Sequence, residues 1–260
     1  MKKILLCCIT ALWVFDASAN LLVNPTRVEL DRKNTSAVFS LVNKSTESAR
    51  YNIYFVDKKM LANGDYVELS KQEATQSLAN FVRYSPRRVN IEPEQGVRVR
   101  LAARLPRNIA QGEYRSYIVF HQIPLAPKSS NDATEQKADT FSLSISAYMK
   151  VAIPVLMRVG DLNSELKIEK SAIDNTRQSI EVTLQRIGER SSFGDIEVIN
   201  PATKQIVAAT KNVAIYTELN ERQFSIALTE PVAAGTELII RYQENNSLFQ
   251  AKTVEAKLIL

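Results

Sequence analysis

FSLSISAYMKVAIPVLM, residues Phe141 to Met157, alternates without a break. Phe141, Leu143, Ile145, Ala147, Met149, Val151, Ile153, Val155 and Met157 take every second position; between them stand Ser142, Ser144, Ser146, Tyr148, Lys150, Ala152, Pro154 and Leu156. One face is continuously apolar, while the other begins polar and grows greasier towards Pro154. A period of two is the period of a strand. At about 3.3 Å per residue the run would extend roughly 55 Å, well beyond the usual strand, so a bent, broken or partly paired element is expected. An exposed apolar strand is an aggregation hazard, so either the fold covers it or a partner does. The plainer reading is two consecutive sandwich strands joined by a bend at Pro154.

The flanks of this run divide the chain. A polar tract, Ala126 to Thr140, precedes it, and the texture changes at Arg158, Val159, Gly160 and Asp161, which mark the expected domain boundary. Upstream, Leu21 to Leu30 reads as an extended segment interrupted by Asn24 and Pro25, followed by strand candidates at Ala37–Val42, Ala49–Val56, Gly96–Ala103 and Tyr114–Phe120. Asn63, Gly64 and Asp65 have hairpin-turn chemistry, because glycine accepts a positive φ. Gln72 to Phe81 is expected to hold a helical turn or two, and Pro86 places Phe81 to Ile91 at a strand edge or bend. Downstream, strands are expected at Glu165–Glu169, Ser179–Arg186, Gly194–Ile199, Gln205–Ala209, Phe224–Leu228, Thr236–Tyr242 and Lys252–Ile259, with Gly235 placed as a hairpin glycine. Short strands separated by Pro and Gly turns, with no sustained helical period, indicate antiparallel sandwiches. The expected fold class is all-β, with residues 20–158 and 159–260 forming two β-sandwich domains.

Residues 1–19 have the layout of a secretory signal peptide: Lys2 and Lys3, an apolar segment from Ile4 to Phe15, and Ala17, Ser18, Ala19 before an expected cut at Asn20. The apolar segment is too short to span a bilayer, and no later one approaches the length, so no transmembrane segment is expected in the mature chain. Both cysteines, Cys7 and Cys8, fall inside this leader, which leaves the mature chain without a disulfide framework or a thiol nucleophile. The leader takes two lysines and one aspartate with it, lowering a formal charge of +5 by one. So mild a balance favours no polyanion, and nucleic-acid binding is not expected.

Motifs for chemistry are missing. His121 is the only histidine, and no G-x-S-x-G elbow accompanies it. One histidine and no mature cysteine remove the usual zinc clusters, and the acidic residues form no calcium-loop pattern. There is no Walker loop and no dinucleotide-binding glycine pattern. Neither an enzyme nor a cofactor or metal is expected.

The leader, NPTRVEL near the mature start, GVRVRLAARLP, GEYRSYIVFHQIP and the alternating strand ending in VAIPVLMR follow one another in that order. In these segments the chain resembles the periplasmic chaperones of pilus and fimbria assembly, and its GEYRS segment and proline-containing end look closer to divergent or archaic branches. The resemblance covers nearly all of the first domain; the second matches mainly in size and strand content. What it implies is two immunoglobulin-like domains at an angle around a cleft, without a catalytic cycle. It further implies donor-strand complementation, in which the last strand of the first domain completes a pilin or related surface-fibre subunit before delivery to an outer-membrane usher. Phe141, Leu143, Ile145, Ala147 and Met149 would be the donor residues. Arg27 and Lys150 would anchor the subunit's C-terminal carboxylate; Pro154 stands where a lysine would fall if Arg158 is the fixed point. Arg98, Arg100 and Arg115 are read as surface or sheet-edge charges. A secreted structural or adhesive protein is the alternative.

Overall fold

The computed structural model describes residues 21–125, 147–174, 178–246 and 248–259. The leader, the polar tract and the donor positions Phe141, Leu143 and Ile145 lie outside the described residues. The first half holds β1 (Leu21–Asn24), β2 (Val28–Leu30), β3 (Ser36–Asn43), β4 (Ala49–Val56), β5 (Lys58–Met60), β6 (Tyr66–Glu68), β7 (Val82–Ser85), β8 (Arg88–Ile91), β9 (Gly96–Ala103), β10 (Gly112–Ile123) and β11 (Lys150–Val159). The second holds β12 (Ser164–Asp174), β13 (Ser179–Gly188), β14 (Ser192–Ile199), β15 (Ile206–Ile215), β16 (Glu221–Ala227), β17 (Glu237–Glu244) and β18 (Thr253–Ile259).

These strands build two sandwiches of the immunoglobulin-like kind. The first packs the sheet β1-β3-β9-β7 on β2-β11-β10-β4-β8, and the second packs β12-β13-β16 on β15-β14-β17-β18. Period-two sequences make this possible by sending alternate side chains inward. In β3 the inward residues are Phe39 and Leu41, in β9 Val99 and Leu101, and in β11 Ile153, Val155, Met157 and Val159. Phe39 and Phe120 meet edge to face across the core, with ring centroids 5.6 Å apart. A second cluster around Ile180, Leu184, Ile196 and Tyr242 fills the other sandwich.

The long alternating run is a regular strand only from Lys150 onward among the described residues; Ala147 to Met149 precede it exposed. Pro86 separates β7 from β8, which join opposite sheets. The helical turns expected over Gln72–Phe81 reduce to a single 3-10 turn, Ala79–Phe81. The segment before that turn is tied down by polar contacts instead: Ser116 Oγ accepts from the Leu78 and Ala79 amides at 2.9 Å. Gly235 has φ +83 but is not a hairpin glycine, because the strands it joins, β16 and β17, belong to different sheets. The Asn63-Gly64-Asp65 turn does close a hairpin, β5–β6, with Met60 opposite Tyr66 and Gly64 at φ +92.

Candidate functional site

The register of β10 against β11 determines what faces the junction of the two sandwiches. Residues directly opposite share a face. Glu113, Arg115, Tyr117, Val119 and His121 therefore stand with Arg158, Leu156, Pro154, Ala152 and Lys150 on the side away from the first core. Leu156 on this face packs with Met60, Phe193 and Tyr216, joining the two halves.

Deepest in the junction is a buried ion network. Arg158 Nε donates to Glu113 Oε2 at 2.9 Å, its Nη1 donates to Glu29, and its Nη2 donates to the Ser191 carbonyl at 3.2 Å. Glu113 in turn accepts from the Ser191 amide at 3.0 Å and from the Ser191 hydroxyl. Arg158 and Glu113 are each 1 % exposed, so the pair is stable only because nearly every polar atom finds a partner. Arg115, expected on the surface, is also drawn in: it lies 3.7 Å above the centre of the Tyr216 ring and donates to Glu218 at 2.5 Å. Glu218 also accepts from the Met60 amide at 2.7 Å, which ties the β5–β6 hairpin to the second sandwich.

Beside this network lies a cavity of about 440 Å³ lined by Arg27, Lys58, Tyr66, Tyr117, Ala152, Pro154, Phe193, Ala214 and Tyr216, with Thr26 and Asn212 at its rim. Arg27 donates to Glu29 at 3.0 Å and lies 4.1 Å over the Phe193 ring centre. Burial pushes the phenols of Tyr117 and Tyr216 well above the ordinary tyrosine range, so both are neutral hydrogen-bonding groups at physiological pH. Lys150 is exposed at the start of β11 opposite His121 and does not line this cavity. At about 3.3 Å per residue it sits roughly 13 Å along the strand from Pro154. Lys58 was not singled out in the sequence; only the hairpin that carries it over the cleft brings it beside Arg27.

The edge of β11 next to the cavity is open. Parallel pairing with β2 covers Val155, Leu156 and Met157 only, and among the described residues no strand pairs with the outer side of Lys150–Pro154. The Gln122 amide donates to the Met149 carbonyl at 2.9 Å, so Met149 directs its backbone polar groups to β10. By alternation Lys150, Ala152 and Pro154 direct theirs outward. Pro154 has no N–H, which is why a proline is tolerated at this position.

His121 Nδ1 lies 3.4 Å from the Tyr54 hydroxyl, an arrangement that supplies neither nucleophile nor carboxylate. Among the described residues no group of three or more His, Cys, Asp or Glu side chains could hold a metal ion, and no helix is long and apolar enough to cross a membrane.

Fold and cleft together define a two-domain β-sandwich protein with an open strand edge beside a cationic cavity. Neither protein-family models nor curated proteins give a match. Among solved structures the chain is similar to pilus and fimbrial chaperones. One is the CupB2 chaperone of Pseudomonas aeruginosa, 11% identical over 91% of this chain and 100% of that one, TM-score 0.48. Another is a chaperone–tip adhesion subunit pre-assembly complex from the archaic Csu pili of Acinetobacter baumannii, at 13%, 91%, 98% and 0.48 on the same measures. A class 5 fimbriae chaperone is 15% identical over 93% of this chain and 100% of that one, TM-score 0.47.

Proposed function

We propose that the protein is a non-enzymatic periplasmic chaperone that holds pilus or related fibre subunits by donating a strand, and passes them to an outer-membrane usher. The observation that carries this reading is the open edge at Lys150–Pro154, reached by the alternating apolar run and flanked by the cationic cavity. A free edge supplies backbone hydrogen bonds to an added strand, and apolar donor side chains fill the gap in its sheet. Phe141, Leu143, Ile145, Ala147 and Met149 continue the face that, from Val151 on, packs into the protein's own core, so the stripe has an inward end and an outward end. Ala147 and Met149 are exposed, which suits residues awaiting a partner. Four large apolar side chains at roughly 1.5–3 kcal/mol each amount to about 10 kcal/mol before the cost of association.

Arg27, with Lys58 beside it in the cavity, is suited to hold the subunit's terminal carboxylate; Lys150 stands farther along the same face to meet the incoming strand. Co-expression with candidate fibre subunits tests the reading. Subunit recovery should fall to background in the Leu143→Glu/Ile145→Glu variant while the chaperone remains folded; unchanged recovery rejects the donor face.

A further inference from the structure

The cavity beside the open edge is larger than a carboxylate requires. A water's share of liquid volume is about 30 Å³. A carboxylate, roughly twice that, leaves most of the 440 Å³ unfilled. The aromatic side of the cavity is Tyr66, backed by Phe193 and Tyr216, which are each 2% exposed. Tyr66 stands 44% exposed on the β5–β6 hairpin, with its ring centre 5.7 Å from that of Tyr117 and 6.3 Å from that of Tyr216. It therefore forms a side of the mouth rather than part of a closed core.

The charge and hydrogen-bonding pattern is equally particular. Arg27 and Lys58 are 23% and 22% exposed; each has an acidic neighbour, Glu29 at 3.0 Å and Glu68 at 3.8 Å, but neither acid lines the cavity. A neighbouring cavity of about 690 Å³, which Lys58 also borders, is lined by five acids against three bases and is less suited to an anion. Tyr117 is 3% exposed, and its buried hydroxyl has the Tyr216 phenol as its polar neighbour.

The geometry points to a pocket for a complete C-terminal residue, one that reads its side chain as well as its carboxylate. Arg27 and Lys58 take the carboxylate, and an aromatic or large apolar side chain lies against the exposed Tyr66 ring. This rests on the reading that a client strand ends in the cleft, and it adds a selection among clients by their last residue.

The test titrates the mature full-length protein with three blocked tripeptides, followed by NMR shifts: N-acetyl-Gly-Gly-Phe with a free carboxylate, its Ala counterpart, and the Phe amide. The Phe acid should bind at least about tenfold more tightly than the Ala acid and than the amide. Tyr66→Ala should bring the Phe-to-Ala ratio to within about threefold while leaving the acid-to-amide ratio in place. Equal binding of the two acids overturns the side-chain pocket, equal binding of acid and amide overturns the carboxylate site, and no binding of the Phe acid up to about 10 mM overturns both. The donor-strand reading fails separately: if the Leu143→Glu/Ile145→Glu variant still captures subunits while the tripeptide ratios hold, the pocket stands and the donor strand does not.

Discussion

Tyr117 and Pro154 stand directly opposite each other across the β10–β11 ladder, and both line the cleft cavity. The pairing sets the Tyr117 phenol beside a backbone position that has no outward donor at all. An added strand at this point of the edge would meet side chains and carbonyl oxygens only.

Two proline substitutions one residue apart should separate recognition from stability. Ala152 directs its amide outward, so Ala152→Pro removes one bond to an added strand and should lower subunit capture while the thermal midpoint shifts little. Val151 faces β10 opposite Phe120, and Val151→Pro should break the ladder and cost about 3 kcal/mol of stability. Equal effects of the two on capture and on melting would refute the assigned direction of the edge.

Much of the fold was legible because alternation writes itself directly into sequence: Ala49–Val56 and Gly96–Ala103 are strands at their expected limits. The cleft was half legible. Glu113, Arg115 and Tyr117 already alternate in the sequence, but the partners of Glu113 are Arg158, 45 residues away, and Ser191, 78 residues away. No local period encodes such a meeting, and Lys58 comes to line the same cavity as Arg27 only through the placement of a hairpin. Gly235 misled because a turn glycine reports its own φ, not which sheet the next strand enters.

Breaking the buried pair should be costly. Glu113→Gln leaves the Arg158 charge with reduced compensation where neither side chain reaches solvent, and should destabilise the protein by about 3–5 kcal/mol. Urea denaturation measures it; a loss below about 1 kcal/mol would mean the network is hydrated in solution.

Alkaline stability should fall for a definable reason. Burial raises the pKa of Tyr51, Tyr117, Tyr216 and Tyr242 above the ordinary value of 10.0. Below about pH 10 these phenols are neutral in folded and unfolded chains alike. Above it the unfolded chain releases protons that the native state retains, so stability declines by about 1.4 kcal/mol per pH unit for each such tyrosine. The double variant Tyr117→Phe/Tyr242→Phe should show a shallower decline between about pH 10 and 11 in denaturant titrations. An unchanged slope would place the titration elsewhere.

Anchoring should rank by position. Arg27→Ala is expected to weaken subunit binding about tenfold to a hundredfold, Lys58→Met by a similar order, and Lys150→Met by less than about threefold, as read by surface plasmon resonance. Lys150→Met outweighing Lys58→Met would move the carboxylate site out along the strand.

Gly194 tests the second sandwich. A Cβ there would lie 2.2 Å from the Gln243 carbonyl oxygen and 2.7 Å from the Tyr242 ring, so Gly194→Ala must force β14 and β17 apart. A loss of about 2 kcal/mol or more in thermal unfolding is expected, against a smaller one for Gly96→Ala, whose nearest neighbour is 3.2 Å away.

The proline in the open edge also bears on what two copies of the protein do when they meet. An edge pairing with its own copy needs donors and acceptors at every outward position of both strands, and Pro154 removes a donor from each. Two identical edges laid side by side thus meet two missing donors, whereas a strand without a proline there meets one. The proline weighs more against a second copy of this edge than against another strand.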